Sequence, residues 1–472
     1  MKSTKLLKDS VLYLVASIVS RGIHIILLPL YANFLDLHEF GSLELILLSV
    51  SFLCLVLPLE ITQAVGRFYG DSKHDLSKII VFNTSFWFSV FVYLISFILI
   101  ISFAKSISNF IGLNKDSQIL IPVFALYLFT NGIFYFLQNH FRWNLQSNNF
   151  VIATVLYSTI TIVAILVFVA NFSLGLIGVL GGMVIGSLIG VIYCLFQISS
   201  LIQIKVSFNI LKSMLKFSIP LVISSSAVLA GLFIDRIIIQ SLLDIENVAI
   251  YSAAYRIASV TAVIYVGLQG ALTPIIYNKH EDAETKIMVI KAFNLFLAAA
   301  GVVFITMMVF RNEMMLIATS IQYQSGADLI PLMTLTFVFS TVYIFFPGLG
   351  LALKTNVIMA INIFALLLNV ILNFFLIKFF GLIGAAISTL CGQVIVALSY
   401  IYFNQVYYKL DLVYVKYMKV ILFLALVTFF HLVFDSHTLY VCVYIALYGF
   451  LLQKIKLIDA KYLFSRSNSI IG

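Results

Sequence analysis

The sequence has few charged residues: Asp, Glu, Lys and Arg make up only 10% of it, whereas 62% of the 472 residues are hydrophobic. A soluble domain carries about a quarter charged residues, so water is excluded as the main solvent of this chain. Long apolar runs recur along the chain instead, and each can cross a hydrocarbon core of roughly 30 Å as a helix. Because the runs lack the two-residue alternation of a membrane barrel strand, the sequence predicts an all-α integral membrane protein.

The sequence also lacks several motifs that would indicate other chemistry. It has no GxxxxGK[ST] loop, which argues against a self-contained ATP-driven pump, and its loops are too short to hold a soluble catalytic domain. No CxxC spacing suggests a metal site or a disulfide, so we expect no cofactor and no metal. The four cysteines lie inside apolar runs and are interpreted as buried hydrophobic residues: Cys54, Cys194, Cys391 and Cys442.

The apolar runs predict fourteen transmembrane helices, which places both termini on one side of the membrane. The first run follows three lysines, as in a secretory signal, but it is too long and has no small-residue cleavage site, so we expect a retained span. The predicted spans are 10–35, 40–66, 79–104, 117–141, 150–171, 174–200, 214–242, 247–276, 287–310, 326–349, 353–377, 380–405, 416–434 and 437–454.

The basic residues predict the orientation. If the N-terminus is cytoplasmic, the inner segments hold 21 Lys and Arg residues and the outer segments hold four. Cytoplasmic loops of membrane proteins carry such an excess, so we expect both termini in the cytoplasm. Because the basic residues are scattered among short loops, we do not expect a nucleic-acid partner.

Short matches at displacements of 206 to 209 residues indicate an internal repeat. They predict two six-helix lobes in the same orientation, at 1–204 and 205–408, with the last two helices and a tail at 409–472. Parallel repeats of this kind place a substrate path between the lobes, so that alternating access follows from their rocking. The matches are Leu35-Asp36-Leu37 with Leu243-Asp244-Ile245, Leu120-Ile121-Pro122 with Leu329-Ile330-Pro331, Asn149-Phe150-Val151-Ile152 with Thr355-Asn356-Val357-Ile358, and Gly175-Leu176-Ile177-Gly178 with Gly381-Leu382-Ile383-Gly384.

Charged residues inside the predicted spans are few, and they fall in spans 1, 2, 7 and 8. Because a charge in hydrocarbon is costly, such residues normally face a partner or a cavity. Arginine stays protonated and pairs bidentately with phosphate oxygens, so a cleft lined by these arginines would suit a diphosphate group. The intramembrane and membrane-edge residues are Arg21, His24, Glu44, Glu60, Arg67, Asp235, Arg236 and Arg256.

Two other uses of the same residues are open. They could pair with one another and lock helices together, for instance Asp235 with Arg256 or Glu60 with Arg21. Glu60 and Asp235 could also couple transport to an ion gradient, because a carboxyl group in a low-dielectric cleft takes up a proton more readily. His24 would then be a proton relay or a packing residue.

Glycine, proline and amide residues predict how the spans pack. Glycines that recur every four residues indicate close helix contact, and prolines can kink a helix or create a hinge. Amide side chains could bind sugar hydroxyl groups or bridge neighbouring helices. The residues are Gly178, Gly182 and Gly186; Pro29, Pro58, Pro220, Pro274 and Pro347; and Asn33, Gln63, Asn131, Gln138, Gln240 and Gln269.

Several short motifs resemble the polysaccharide-transport, or Wzx-type, flippases of the multidrug/oligosaccharidyl-lipid/polysaccharide exporter superfamily. The resemblance extends over essentially the whole chain. The motifs are Lys8-Asp9-Ser10, Arg21, Leu28-Pro29-Leu30-Tyr31, Glu39-Phe40-Gly41, Arg67-Phe68-Tyr69, Phe217-Ser218-Ile219-Pro220, Asp235-Arg236 and Gly381-Leu382-Ile383-Gly384-Ala385-Ala386.

The resemblance implies a MATE-like pair of six-helix lobes around a cationic cavity, with two additional C-terminal helices. It also implies outward movement of an undecaprenyl-diphosphate-linked repeat unit of O-antigen, capsule or a similar polymer across the bacterial inner membrane. A polysaccharide polymerase is a candidate protein partner, and we expect a monomer. The residues that would engage the diphosphate or acidic sugars are Arg21, Arg67, Arg236 and Arg256.

Other functions fit parts of the same pattern. A peptidoglycan-precursor flippase is the nearest alternative, and a cation-coupled multidrug exporter of the same superfamily is the next. The two additional helices and the arginines count against the multidrug exporter. A membrane glycosyltransferase or polymerase usually needs a large outer loop or an acidic metal-binding pair, and the longest predicted outer loop, about 311–325, has neither. A purely structural scaffold would need no charges inside the spans.

Overall fold

The structure is a computed structural model that describes Gly22 and residues 25–71, 75–106, 119–144, 146–262, 268–269, 272–273, 275–276, 281–434 and 440–457. These residues form helices joined by short turns and contain no strand, so the all-α prediction is confirmed. The chain divides into two compact units, Met1–Ala249 (unit 1) and Ile250–Gly472 (unit 2).

Within the described residues, nine helices are long and apolar enough to cross a membrane. One of them, Thr355–Tyr407, has 53 residues and joins two helical segments at Gly381, where φ is 55° and ψ is −136°. Gly381 lies at the start of predicted span 12, four residues after the end of predicted span 11. Two shorter apolar helices, Ile25–Phe34 and Tyr440–Lys454, lie near the ends of the described chain. The protein is therefore a multi-pass membrane protein, and the number fourteen stays a prediction.

Among the residues described in unit 1, the following α-helices lie in order along the chain, and the last of them crosses the boundary between the units. They are α1 (Ile25–Phe34), α2 (Leu37–Val56), α3 (Ile61–Asp71), α4 (Asp75–Ser102), α5 (Leu120–Trp143), α6 (Ser147–Leu166), α7 (Gly175–Ile198), α8 (Phe208–Leu242) and α9 (Ile245–Ala258).

The glycines of α7 allow close packing against α6, as the four-residue spacing predicted. A Cβ atom at Gly182 would lie 2.8 Å from the backbone nitrogen of Ile165, and one at Gly186 would overlap the Thr161 hydroxyl. A Cβ atom at Gly178 would lie 3.2 Å from the Cβ atom of Phe168, in the π-helical turn that follows α6. Since a side chain at these positions would separate the helices, the interpretation of the glycines as packing residues is confirmed.

The prediction of one continuous helix over 40–66 is wrong, because two helices and a turn occupy this segment. α2 ends at Val56, a turn follows, and α3 begins at Ile61. Pro58 in this turn has no backbone N–H to donate, and both Leu59 and Glu60 have a φ of 52°. A non-glycine residue in this left-handed region costs roughly 1–2 kcal/mol. The turn therefore interrupts the helix with strained backbone.

The N-terminus of α2 is fixed by a reciprocal pair of hydrogen bonds. The backbone N–H of Glu39 donates to Asp36 Oδ1 at 2.7 Å, and the Asp36 N–H donates to Glu39 Oε2 at 3.4 Å. The other carboxylate oxygen of Glu39 accepts from the backbone N–H of Leu176 at 3.2 Å. One carboxylate thus caps α2 and contacts the first turn of α7.

Beyond the remainder of α9, the described residues of unit 2 form a further series of α-helices. They are α10 (Ala283–Val309), α11 (Arg311–Ala318), α12 (Leu329–Thr341), α13 (Gly348–Leu351), α14 (Thr355–Tyr407), α15 (Tyr414–Phe434) and α16 (Tyr440–Lys454).

The last two helices pack on α10 within unit 2. The Tyr448 ring of α16 fills the space beside Gly301, and its hydroxyl donates to the Leu297 carbonyl at 3.0 Å. On α15, His431 lies 3.0 Å from a guanidinium nitrogen of Arg311, which also forms an ion pair with Asp328 at 2.8 Å. These contacts hold α15 and α16 to the rest of unit 2.

The local structure recurs at several of the matched sequence segments. Leu120 and Leu329, which open the two Leu-Ile-Pro segments, are the first residues of α5 and α12. Gly175 and Gly381, which open the two Gly-Leu-Ile-Gly segments, have φ values of 50° and 55°. The recurrence supports the repeat, whereas the boundaries predicted from it at 204 and 408 stay a prediction.

Candidate functional site

A polar cavity of about 340 Å³ lies between α3 and α5 of unit 1. Its walls contain one guanidinium, two amides, two hydroxyls and two aromatic rings, and the lining residues include no carboxylate. The lining residues are Thr62, Gln63, Tyr135, Asn139, Arg142 and Trp143.

Helix α5 supplies most of the lining from one face. Tyr135, Asn139 and Arg142 are spaced by four and three residues, which places them along the same side of a helix. The Asn139 amide donates to the Tyr135 carbonyl at 2.8 Å, so its Oδ1 points toward Arg142, whose guanidinium donates to it at 3.4 Å. The guanidinium carbon also lies 5.8 Å from the centre of the Phe150 ring, within cation–π range.

The wall behind Trp143 is ordered by contacts between α3 and α5. A Cβ atom at Gly66 would lie 3.2 Å from the Trp143 indole nitrogen, so a glycine here lets the indole lie against α3. One residue beyond, the Asn144 amide accepts from the Tyr69 hydroxyl at 2.9 Å and lies 2.8 Å from a ring nitrogen of His140. The two helices are thereby held in register at the cavity.

Glu60 lies just before the cavity lining of α3, in the strained turn. Its side chain is buried, with 5% of its surface exposed. The Tyr135 hydroxyl is within electrostatic range of both Glu60 and Arg142, so a carboxylate and a guanidinium both act on this side of the cavity. Strained backbone in folded proteins clusters at functional sites, which makes the turn part of the candidate site.

Arg67 lies on α3 one turn beyond Gln63, and its side chain is exposed. Its guanidinium stacks on the Phe217 ring of α8 at 4.5 Å from the ring centre. Asp235 and Arg236 lie near the other end of α8, where only 1% and 2% of their surfaces are exposed; both residues have polar or electrostatic partners. Nineteen residues of helix separate Phe217 from Arg236, which is roughly 28 Å along the axis at 1.5 Å per residue. The Phe217 contact of Arg67 and the backbone of Arg236 therefore lie at different levels along α8.

The other predicted residues are distributed as follows. Arg256 is on α9 in unit 2, is buried with 8% of its surface exposed, and has a polar or electrostatic partner. Arg21 and His24 lie outside the described residues. Among the described residues, no group of three His, Cys, Asp or Glu side chains is placed to hold a metal ion.

Sequence reasoning named only one lining residue, Gln63, as a candidate for binding. Arg142 was counted only for membrane orientation, and Tyr135, Asn139 and Trp143 were not singled out. The spacing of polar and aromatic residues along α5 was the signal that could have found them. Three other amides instead bond to other spans or loops, as Asn131 does to Cys54, Gln138 to Thr154 and Gln269 to Tyr343.

A family model described as "polysaccharide biosynthesis protein" matches residues 6–280, which is more than half of the chain. The chain belongs to the polysaccharide biosynthesis protein family. The cavity and Arg67 lie inside the matched region. No curated protein sequence matches this polysaccharide biosynthesis protein.

Solved structures of MATE transporters share the fold of this polysaccharide biosynthesis protein. An inward-facing multidrug resistance MATE transporter of the MOP superfamily superimposes with a TM-score of 0.67 at 16% identity, covering 83% of this chain and 94% of that one. An outward-facing MATE transporter gives 0.64 at 17% identity, covering 84% and 95%. A MOP superfamily transporter from Pyrococcus furiosus, described as having a binding pocket of reverse polarity, gives 0.61 at 18%, with the same coverage. The chain thus has the fold of MATE transporters, and the predicted MATE-like fold is confirmed.

Proposed function

We propose that this protein flips a polyisoprenyl-diphosphate-linked oligosaccharide from the inner to the outer leaflet of a bacterial cytoplasmic membrane. The proposal is carried by one observation, the match to the polysaccharide biosynthesis family in a chain with a MATE transporter fold. Polymers made outside the cell need precursors that are assembled on lipid inside it. A transporter in such a family has that precursor as its natural cargo.

Alternating access would move the cargo. Inward-facing and outward-facing MATE transporters both superimpose on this chain, so the fold accommodates both states. With both termini in the cytoplasm, the cavity between α3 and α5 opens on the inner half of the membrane and the Asp235-Arg236 pair lies in the outer half. The cargo would meet the cavity first.

The arginines would bind the diphosphate in succession. Phe217, on which Arg67 stacks, and Arg236 are roughly 28 Å apart along α8, so in this proposal one diphosphate group engages the two arginines one after the other. In this proposal Arg67 receives the headgroup on the inner side and Arg236 acts near the outer side. Arg256 of unit 2 and Arg21 complete the cationic path, while Glu60, Asp235 and His24 are the candidate residues for ion coupling or ion pairing.

A deletion strain tests the function. Without the protein, lipid-linked oligosaccharide should accumulate on the inner leaflet and surface polymer should fall. An Arg67→Gln variant should restore little of the polymer because it removes the exposed guanidinium. A Lys212→Gln variant, which removes an exposed charge from α8, should restore nearly all of it. Unchanged surface polymer together with raised dye sensitivity in the deletion strain would instead indicate a drug exporter.

A further inference from the structure

Resting on the proposed function, we infer that the cavity between α3 and α5 is a recognition subsite for one sugar ring that carries an anionic group. The ring belongs to the cargo oligosaccharide. The anion is either a carboxylate on a sugar or the phosphate that joins the first sugar to the lipid. The juxtaposition that supports this is one guanidinium beside two amides and two aromatic rings in a space of about 340 Å³.

The hydrogen-bonding groups of the cavity suit hydroxyl groups, which both donate and accept. Neither the Gln63 amide nor the Trp143 indole N–H makes a hydrogen bond with the part of the chain that the structure describes. The Gln63 amide and the Thr62 hydroxyl provide both donors and acceptors on α3. Because sugar hydroxyls can pair with groups of both kinds, this lining favours a ligand rich in hydroxyls over an apolar drug.

The aromatic side chains of the cavity suit the pyranose ring of the sugar. A pyranose has an apolar face of C–H groups that an aromatic surface can cover, which removes both surfaces from water. Trp143 is held in place by edge contacts with Phe136 and His140, whose ring centres lie 5.8 and 6.4 Å from its own. Because Gly66 has no side chain, the nitrogen edge of the indole lies close to α3, which fixes the orientation of the Trp143 ring at the cavity.

Arg142 supplies the charge. Its guanidinium forms no ion pair with any described carboxylate; its contacts are the neutral oxygen of Asn139 at 3.4 Å and the ring of Phe150. A hydrogen bond of that length is weak, so the guanidinium retains donors for another partner. Since arginine pairs most strongly with carboxylate or phosphate oxygens, the cavity should prefer an acidic sugar or a sugar phosphate to a neutral sugar.

The size of the cavity limits the ligand. Sites for small molecules are generally 300–1,000 Å³, and this cavity lies at the lower end of that range. It can hold one ring and its substituent, and a complete oligosaccharide repeat must extend beyond it. The subsite would therefore bind a single sugar unit of the cargo oligosaccharide.

Tryptophan fluorescence offers a direct test, because the chain has only two tryptophans. A Trp87→Phe variant of the full-length protein, reconstituted in lipid nanodiscs, leaves Trp143 as the only reporter. Titration with glucuronate or N-acetylglucosamine 1-phosphate should change its emission saturably. Neutral N-acetylglucosamine and inorganic pyrophosphate should each bind at least tenfold more weakly. The stronger of the two acidic probes identifies the source of the anion.

Two further substitutions test whether the positive charge of Arg142 is needed to bind the acidic probe. Arg142→Gln should weaken the acidic probe at least tenfold while neutral N-acetylglucosamine changes little, and Lys212→Gln should change neither. Pyrophosphate binding as tight as the sugar phosphate would overturn recognition of the ring. Equal binding of neutral and acidic sugars would overturn the role of Arg142.

The Trp87→Phe variant distinguishes a failure of this inference from a failure of the proposed function. If Trp87→Phe restores surface polymer in the deletion strain but no probe changes the Trp143 emission, the subsite is wrong and the flippase function stands. If the acidic sugars bind as expected but the deletion strain has normal polymer, the subsite stands and the flippase function is wrong.

Discussion

Individual carboxylates have several distinct roles in unit 1. Glu60 is buried in a strained turn beside the cavity, whereas Glu39 bridges two helix N-termini. Both residues are glutamates near an end of α2, and composition alone does not distinguish them. The difference comes from backbone conformation: Glu39 follows an N-capping Asp36 in a regular helix, and Glu60 has a φ of 52°.

The position of Glu39 leads to a prediction about stability. A negative charge near a helix N-terminus contributes about 0.3–1 kcal/mol, and Glu39 lies at the first turn of both α2 and α7. Glu39→Gln should therefore lower the thermal unfolding midpoint of the purified protein in detergent. Glu246→Gln, which removes a glutamate from the first turn of α9 alone, is the matched control and should lower it less. Equal effects would show that the contact with α7 adds no stability.

At the residue scale, the sequence predicted the type of site better than its location. Intramembrane arginines and Gln63 were recognised because charges and amides are rare in apolar runs. Arg142 was missed because it lies at the end of a span, where positive charge is ordinary in any membrane protein. Its neighbours Tyr135 and Trp143 resemble the many interfacial aromatic residues of the chain, so only their position facing a cavity distinguishes them.

At the scale of helices, glycine positions were predictable and the break between α2 and α3 was not. The four-residue spacing of the α7 glycines is a packing signature that needs no tertiary information. Pro58 was identified as a possible kink, but proline can bend a helix, end it or begin another. Two consecutive non-glycine residues in the left-handed region have no sequence signature, because the surrounding packing imposes that conformation.

The strained turn leads to a prediction in which the usual order of stability is reversed. At Leu59, glycine adopts the observed φ without strain, whereas the β-branched side chain of valine opposes it. Leu59→Gly should therefore be more stable than Leu59→Val in thermal unfolding, although valine retains more apolar surface. At Leu55, within regular α2, the order should be the opposite because glycine weakens a helix by about 1 kcal/mol. Valine ranking above glycine at both sites would remove the strain argument.

At the scale of the whole molecule, the sequence predicted the fold class, the membrane location and the family. Its lobe boundary comes from sequence matches, while the compact units divide at Ala249, because α8 packs against α2 and α3 within unit 1. Sequence matches identify the equivalent segments of a repeat, whereas the boundary between compact units depends on which helices pack against one another. The two need not divide the chain at the same residue.

The predicted orientation can be measured on the whole protein. In a background with all four cysteines replaced, a cysteine at Ser213 should react with a membrane-impermeant thiol reagent only after the membrane is opened, because α8 begins on the cytoplasmic side. A cysteine at Asn312, on α11, should react in intact cells. Both positions are exposed to solvent or lipid. The reverse pattern would invert the assigned topology, and labelling of both sites in intact cells would show that the number of crossings between them is wrong.

The spacing along α8 between Phe217, on which Arg67 stacks, and Arg236 has a consequence for the rate of transport. These two helix positions are roughly 28 Å apart, which is nearly the thickness of the hydrocarbon core, about 30 Å. Passage through a membrane protein requires each binding step to be favourable enough for entry and weak enough for departure. A single tight binding site for the phosphates would slow their release. Two weaker sites, one near each leaflet, would divide transport into steps with smaller changes in free energy. Turnover would then be fastest when neither arginine binds much more tightly than the other.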